Sequence, residues 1–119
     1  MLTIKEYFTK KPVAYIAKRE KSWKEQGMHY KGKNITFTLY KRLLELQNYS
    51  CALCNMRLDL TIAQLDHDHK TGEIRGILCF DCNRKRVGLY EKTGKYKSQY
   101  YQKIIENYLE NPPIHRLRK

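Results

Sequence analysis

A chain of 119 residues carrying 24 Lys and Arg against 12 Asp and Glu, a formal charge of +12, is most simply one domain with a modest core and a field that draws polyanions, nucleic acid first. The charge is spread along the chain, so no single basic tail explains it. An anionic membrane surface fits less well: there is no basic amphipathic stretch with a strongly apolar face, and no apolar run approaches the roughly 20 residues of a span. The N-terminal MLTIKEYFTKKP has no apolar signal-peptide core, so a cytoplasmic setting is expected, where four cysteines in two Cys-x-x-Cys pairs read as metal ligands before disulfides.

In chain order, residues 1–11 are short, basic and aromatic, and Pro12 closes them off. VAYIAKREKSWKEQG reads as a helix with Val13, Ile16 and Trp23 as apolar anchors, ended by Gly27, its lysines and Arg19 turned to solvent or to DNA. Residues 28–35 read as a polar, basic connection. A helix capped by Thr36 or Thr38 runs through about Gln47, with Leu39, Leu43, Leu44 and Leu46 as its apolar stripe, and Asn48-Tyr49-Ser50 turns the chain into Cys51. After the first cysteine pair come a loop, a strand over 62–66, a turn with Gly72 at its tip, a returning strand over 74–79, and a helix from about Phe80 through Arg86 or beyond. GLYEKTGKY, residues 88–96, reads as a loop. The last helix, 97–110, carries two apolar rows, Tyr100/Ile104/Tyr108 and Tyr101/Ile105/Leu109, and stops at Asn111-Pro112-Pro113. Packing of those rows on the leucine helix is the ordinary explanation, and a homodimer partner is the second.

Residues 51–83, CALCNMRLDLTIAQLDHDHKTGEIRGILCFDCN, organise the chain. Four thiolates in a tetrahedron suit a closed, structural zinc site, and Cys51, Cys54, Cys79 and Cys82 supply them, with a hairpin accounting for the long spacing between the pairs. Redox-active or free pairs are the alternative. Asp66, His67, Asp68, His69 and Asn83 are left over. An imidazole is matched to deprotonating water near neutral pH, while Asp66 and Asn83 offer oxygen to a hard cation such as magnesium, the combination that phosphodiester hydrolysis needs. A solvated hairpin tip is the bland alternative. Strand alternation puts His67 and His69 on one face and Asp66 and Asp68 on the other, so a site using both Asp66 and His67 needs a twist or a bulge there.

The stretch LDHDHKTGEIRGILCFDCN with the preceding CALC, the upstream FTLYKRLLELQNYSCALC and the closing YLENPP resemble the recombination endonuclease VII family, phage-type members of the HNH or ββα-metal nucleases, over about residues 36–113. The resemblance implies an α+β fold: a zinc-clamped ββα-metal, treble-clef-like core flanked by N- and C-terminal helices. The domain plan is a basic helical arm over 1–35, a nuclease domain over 36–113 and a basic tail over 114–119. It implies structural zinc on the four cysteines, magnesium or manganese on Asp66 and Asn83, His67 as general base, and His69 contacting phosphate or supporting the transition state. Asp68 reads as a supporting group beside an imidazole. Asn83 stands where many HNH proteins place a final histidine, and no asparagine lies between His67 and Asn83. Arg75, Arg84, Lys85 and Arg86 are candidate phosphate contacts, a solvated charged face being the alternative for each. The expected function is metal-dependent cutting of DNA, in branched intermediates or ordinary duplex. A zinc-stabilised DNA-binding module without catalysis is the competing class, and an RNA or other structure-specific nuclease a third. The 1–35 arm, with Tyr7, Phe8, Tyr15 and Trp23 among its lysines, is expected to add non-specific DNA contacts.

Overall fold

The computed structural model describes residues 12–59 and 63–117. Tyr7, Phe8 and the expected strand start at Ile62 lie outside the described residues. Helix α1 spans Pro12–Glu25, hairpin β1 His29–Tyr30 and β2 Lys33–Asn34 follows, and α2 spans Phe37–Leu46. Strands β3 Gln64–His67 and β4 Ile74–Leu78 form a second antiparallel pair. A π-wound helix, Cys82–Gly88, continues directly into α3, Leu89–Thr93, and α4 spans Gln99–Glu110 before a 3-10 turn at Pro113–Arg116.

Local chemistry explains most of these boundaries. Thr36 caps α2 by accepting from Leu39 N at 3.1 Å, and Ser98 caps α4 from Tyr101 N at 3.3 Å. The basic connection at 28–35 is a hairpin, because Lys31 and Gly32 both take positive φ (50 and 78) and so form a tight reversal without the usual Asn. The expected loop over 88–96 is half helix: Leu89–Thr93 is wound, and the chain breaks at Gly94, where φ is 74.

The core runs across the whole described chain. Buried on α2 are Phe37, Tyr40, Leu43 and Leu44, so its inner face is rotated from the all-leucine stripe, with Leu39 and Leu46 at its edge. Each such side chain contributes about 1.5–3 kcal/mol by leaving water. Trp23 of α1 stacks on Phe37 (centroids 6.0 Å) and lies against Tyr40 (5.0 Å), and Trp23, Met28 and Ile35 belong to the same buried cluster. Arg19 is half-buried. Its guanidinium lies over the rings of Tyr15, Trp23 and Tyr40 and donates to the Tyr15 hydroxyl.

β4 is buried along its length, unlike a strand with one wet face. The 3-10 turn and α2 pack on it, and a Cβ on Gly76 would meet Pro113 at 3.0 Å and Tyr108 at 3.1 Å, so glycine there lets the C-terminal segment close over the strand. Gln47 extends the ladder from the side: its amide donates to Ile77 O and accepts from Ile77 N, both at 2.8 Å, and donates to Ser50 O at 2.9 Å. This ties the end of α2, and with it the first cysteine pair, to β4. Helix α4 buries Ile105 and Tyr108 and packs against the π-helix, while the turn after it reaches α2. Of the rest of its apolar rows, Ile104 and Leu109 are half-buried against the core and Tyr100 is 73% exposed.

Candidate metal centre and groove

Each cysteine pair sits on a knuckle folded by its own backbone. Cys51 N donates to Met56 O at 2.8 Å, Asn55 takes a positive φ of 68 to turn the chain, and Ala52 N joins Ile77 O at 3.1 Å. Leu53 N and Cys79 N each point at Cys51 Sγ at 3.4 Å, and Cys82 N at Cys79 Sγ at 3.4 Å. All four Sγ atoms lie within 4.8 Å of one another, and the Cys54–Cys79 separation is 3.9 Å, too long for a disulfide. Zn–S bonds of about 2.3 Å place tetrahedral sulfurs roughly 3.8 Å apart, so the cluster fits a structural zinc. The thiols already share protons unequally: the hydrogen bond from Cys82 brings the Cys51 thiol down to about 5, and the same bond raises Cys82. Arg86, expected among the phosphate contacts, turns toward this centre. It donates to Cys82 Sγ at 3.1 Å and its guanidinium lies over Tyr101 at 4.6 Å, an arrangement suited to balancing thiolate charge.

On the other side of the hairpin the β3–β4 ladder is irregular. Asp66 pairs with Gly76 and His67 with Ile74, leaving Arg75 as an extra residue in β4. The extra residue lies in β4, opposite the Asp66–His67 step. The rings of His67 and His69 lie 4.4 Å apart, on one face as alternation predicts. Burial, then the neighbouring His69, lowers the pKa of His67, which favours the neutral imidazole that a base must present. The turn that follows is built by Asp68, whose Oδ1 accepts from Lys70 N at 2.7 Å and Thr71 N at 3.4 Å. Those backbone bonds hold Asp68 below the usual carboxylate range, so it organises the turn and is not the expected partner of an imidazole. Gly72 takes the tip with φ 83. The turn is gripped from the N-terminal side, where His29 N donates to Gly72 O at 2.9 Å and the His29 ring lies between Thr71 O and Glu73.

Asp66 faces inward and is buried. Its Oδ2 accepts from Arg75 Nε at 2.9 Å and the Tyr108 hydroxyl at 2.7 Å, and its Oδ1 from Arg75 Nη2 at 3.1 Å. Arg75 reaches on to Glu91 (2.9 and 3.0 Å) and to His67 O at 3.1 Å. Burial alone would lower the pKa of Arg75, but its bonds to Glu91 and Asp66 outweigh that and raise it. Arg75, expected among the phosphate contacts, is therefore an internal cation with no free face for DNA. Burial, then Asp66, also pushes the Tyr108 hydroxyl well up, so it acts as a donor.

Asn83 enters from the first turn of the π-helix and donates to Gln64 Oε1 at 2.8 Å; its Oδ1 takes no hydrogen bond among the described residues. The wide winding carries Gly88 against it, since a Cβ there would lie 2.9 Å from Asn83 O. Asp66, His67, His69 and Asn83 line one groove of about 820 Å³, whose opposite wall is α1 through Tyr15, Arg19, Ser22, Trp23 and Gln26. Arg84, exposed with its guanidinium over Phe80, and Lys92 stand on its rim. Lys85 is exposed too and pairs loosely with Asp81 at 3.6 Å. Sequence reading missed Tyr108, Glu91 and Lys92. A tyrosine inside an apolar stripe needs a partner for its hydroxyl, which was the available signal for Tyr108. Glu91 and Lys92 fell in the segment read as loop.

The sequence profile of recombination endonuclease VII matches residues 24–111. The chain is 33% identical over 101 residues to Gene 59 protein of Mycobacterium phage L5 and, at the same identity and length, to Gene 59 protein of Mycobacterium phage D29. Those matches take in 82% of this chain but 56% and 55% of the two relatives, so the chain spans about half their length. No solved structure matches it.

Proposed function

Because the chain belongs to the recombination endonuclease VII family, we propose that it is an HNH-type DNA endonuclease that hydrolyses phosphodiester bonds at the groove between α1 and the β3–β4 hairpin. The observation that carries this reading is the His67–His69 pair, presented with Asn83 in an open groove of a strongly basic chain while His67 is biased toward its neutral form. His67 accepts a proton from water, the water oxygen bonds to phosphorus, and the bond from phosphorus to the 3′ oxygen breaks, that oxygen taking a proton from solvent, to leave a 5′-phosphate and a 3′-hydroxyl. His69, its ring tilted beside that of His67, contacts the phosphate. Arg84, Lys85 and Lys92 hold the flanking backbone. Zinc on the four cysteines fixes the frame.

Asp66 and Asn83 would hold magnesium or manganese. Asn83 Oδ1 is open, and Asp66 Oδ1 has one acceptor position left beside Arg75, so the pair fits a hard, oxygen-seeking cation that keeps most of its waters. Such an ion, when bound, supplies charge neutralisation at the phosphate and the departing oxygen. Branched DNA is the proposed substrate, and resolving a junction needs two cuts and so two copies of the site; a homodimer belongs to that proposal.

A second reading, a zinc-stabilised DNA-binding module, is favoured by one observation: Arg75 already balances the Asp66 charge, as a purely structural carboxylate would require. Incubating supercoiled plasmid and a four-way junction with wild type, His67→Ala and EDTA-treated protein separates the two. Cleavage that needs both His67 and added magnesium or manganese supports the nuclease, and preference for the junction supports the branched substrate. Tight binding by a zinc-loaded protein with no cutting under either metal would overturn the nuclease in favour of the module.

A further inference from the structure

Arg75 stands between two carboxylates. Asp66 takes its Nε and one Nη2 bond, and Glu91 takes Nη1 at 2.9 Å and a second Nη2 bond at 3.0 Å. One cation against two anions, Asp66 buried and Glu91 partly exposed, leaves the trio with a net negative charge, an arrangement that tolerates, and is improved by, further positive charge nearby. The bonds on Asp66 are also unequal. Oδ2 is saturated by Arg75 Nε and the Tyr108 hydroxyl, whereas Oδ1 holds a single donor, Arg75 Nη2, and that nitrogen is itself shared with Glu91 and His67 O. Nη2 divides its attraction among three acceptors, so its hold on Asp66 Oδ1 is the weakest link in the network.

We infer that Arg75 is a positioning residue that competes with the divalent cation for Asp66, with Glu91 as the counter-anion that draws Arg75 aside and Tyr108 as the donor that keeps Asp66 turned inward. Without a cation, the guanidinium neutralises Asp66 and holds the bulge closed. With one, Asp66 Oδ1 is shared, and Glu91 retains the displaced share of the arginine's hydrogen bonding. The inference rests on the reading of Asp66 and Asn83 as the cation's holders.

The two outer members of the network then act in opposite directions. Glu91→Gln removes the charge that competes for Arg75, so the arginine binds Asp66 harder and the cation binds more weakly. Tyr108→Phe removes a donor from Asp66 at little cost in shape, so the carboxylate offers more to a cation, which binds more tightly. The net contribution of one typical hydrogen bond corresponds to a change of roughly two- to tenfold in a dissociation constant. A merely structural role would loosen the site in both variants and weaken binding in both.

The test is Mn²⁺ binding to the zinc-loaded full chain without DNA, followed by electron paramagnetic resonance of the free ion. Wild type, Asp66→Asn, Glu91→Gln and Tyr108→Phe are compared, with zinc content and melting temperature checking that each is folded. The expected result is near-complete loss of Mn²⁺ binding in Asp66→Asn, several-fold weakening in Glu91→Gln and several-fold tightening in Tyr108→Phe. If Asp66→Asn loses the ion but the other two move together or not at all, the competition is overturned and the Asp66 ligand assignment stands. If Asp66→Asn binds Mn²⁺ like wild type, the ligand assignment itself fails and takes the competition with it.

Discussion

The two sides of the β3–β4 hairpin solve opposite problems. On the cysteine side, ligands come from two short knuckles whose own backbone N–H groups point at sulfur, and everything converges on one enclosed point. On the groove side, each group is supplied from a distance: Asn83 by the π-helix, Tyr108 by α4, Glu91 by α3, and the facing wall by α1. The first is closed by local chemistry and serves shape. The second stays open because no single segment can close it, and its charges remain partly shared among several partners. Stability and reactivity are therefore separable here, and perturbations should sort by the side they touch.

The largest effect is expected from the closed side. Stripping zinc with a strong chelator should unfold the 51–83 region and with it the core around Ile77 and Leu78, since structural zinc in small domains contributes on the order of 10 kcal/mol. Near-ultraviolet circular dichroism with and without chelator reads this directly, and a chelated protein that kept its tertiary signal would show that the four thiols are not what holds the hairpin. Next comes the hinge between the sides. Gly88→Ala forces a Cβ toward Asn83 O, an overpacking that costs roughly 1–3 kcal/mol. Cleavage should fall further than the lowered melting temperature explains, with zinc content unchanged, and a loss that simply tracked stability would remove Gly88 from any role in placing Asn83.

A smaller, pH-dependent effect follows on the open side. Since the pKa of His67 is lowered in the fold from the ordinary 6.5, the acid limb of the cleavage profile should inflect below that value. The same shift acts on stability: the unfolded chain takes up the proton first, so the contribution is whole above 6.5 and disappears as pH falls through the folded value. An inflection at or above 6.5, absent from His67→Ala, would contradict a buried neutral imidazole. The smallest effect is on the exposed surface outside the groove lining. Lys85→Ala, which removes an exposed i,i+4 pair, should change stability by less than about 0.5 kcal/mol. It should also reduce the slope of log affinity for DNA against log salt by about 0.9. Arg86→Ala should do the reverse, disturbing zinc retention and leaving the salt slope alone.

What could be read from the sequence divides along the same line. The cysteine pairs, the Thr36 cap, the turn at Gly72 and the His67–His69 face are local signals, set by spacing and side-chain chemistry within a few residues. The ladder's register is a property of two strands at once, and the extra residue at Arg75 has no signature in either strand alone. The roles of Arg75 and Arg86 were hidden for a related reason: a cationic side chain in a basic protein looks solvent-bound until its partners, Asp66 and Glu91 or Cys82, are placed around it. Trp23 was legible as an anchor, but its stacking partners lie in the next helix, so that α1 forms a wall of the groove could not be read from the arm itself.

The bulge at Arg75 also makes the length of β4 matter separately from its composition. In a regular strand Ile74 and Gly76 would look the same way; with one residue inserted between their pairing positions they look to opposite layers, and a single strand serves two interiors. Substituting Arg75 changes the strength of the interactions that meet there. Excising it would restore an even ladder and transpose everything on one side of the cut to the wrong layer, so the length of this strand constrains the fold separately from its side chains.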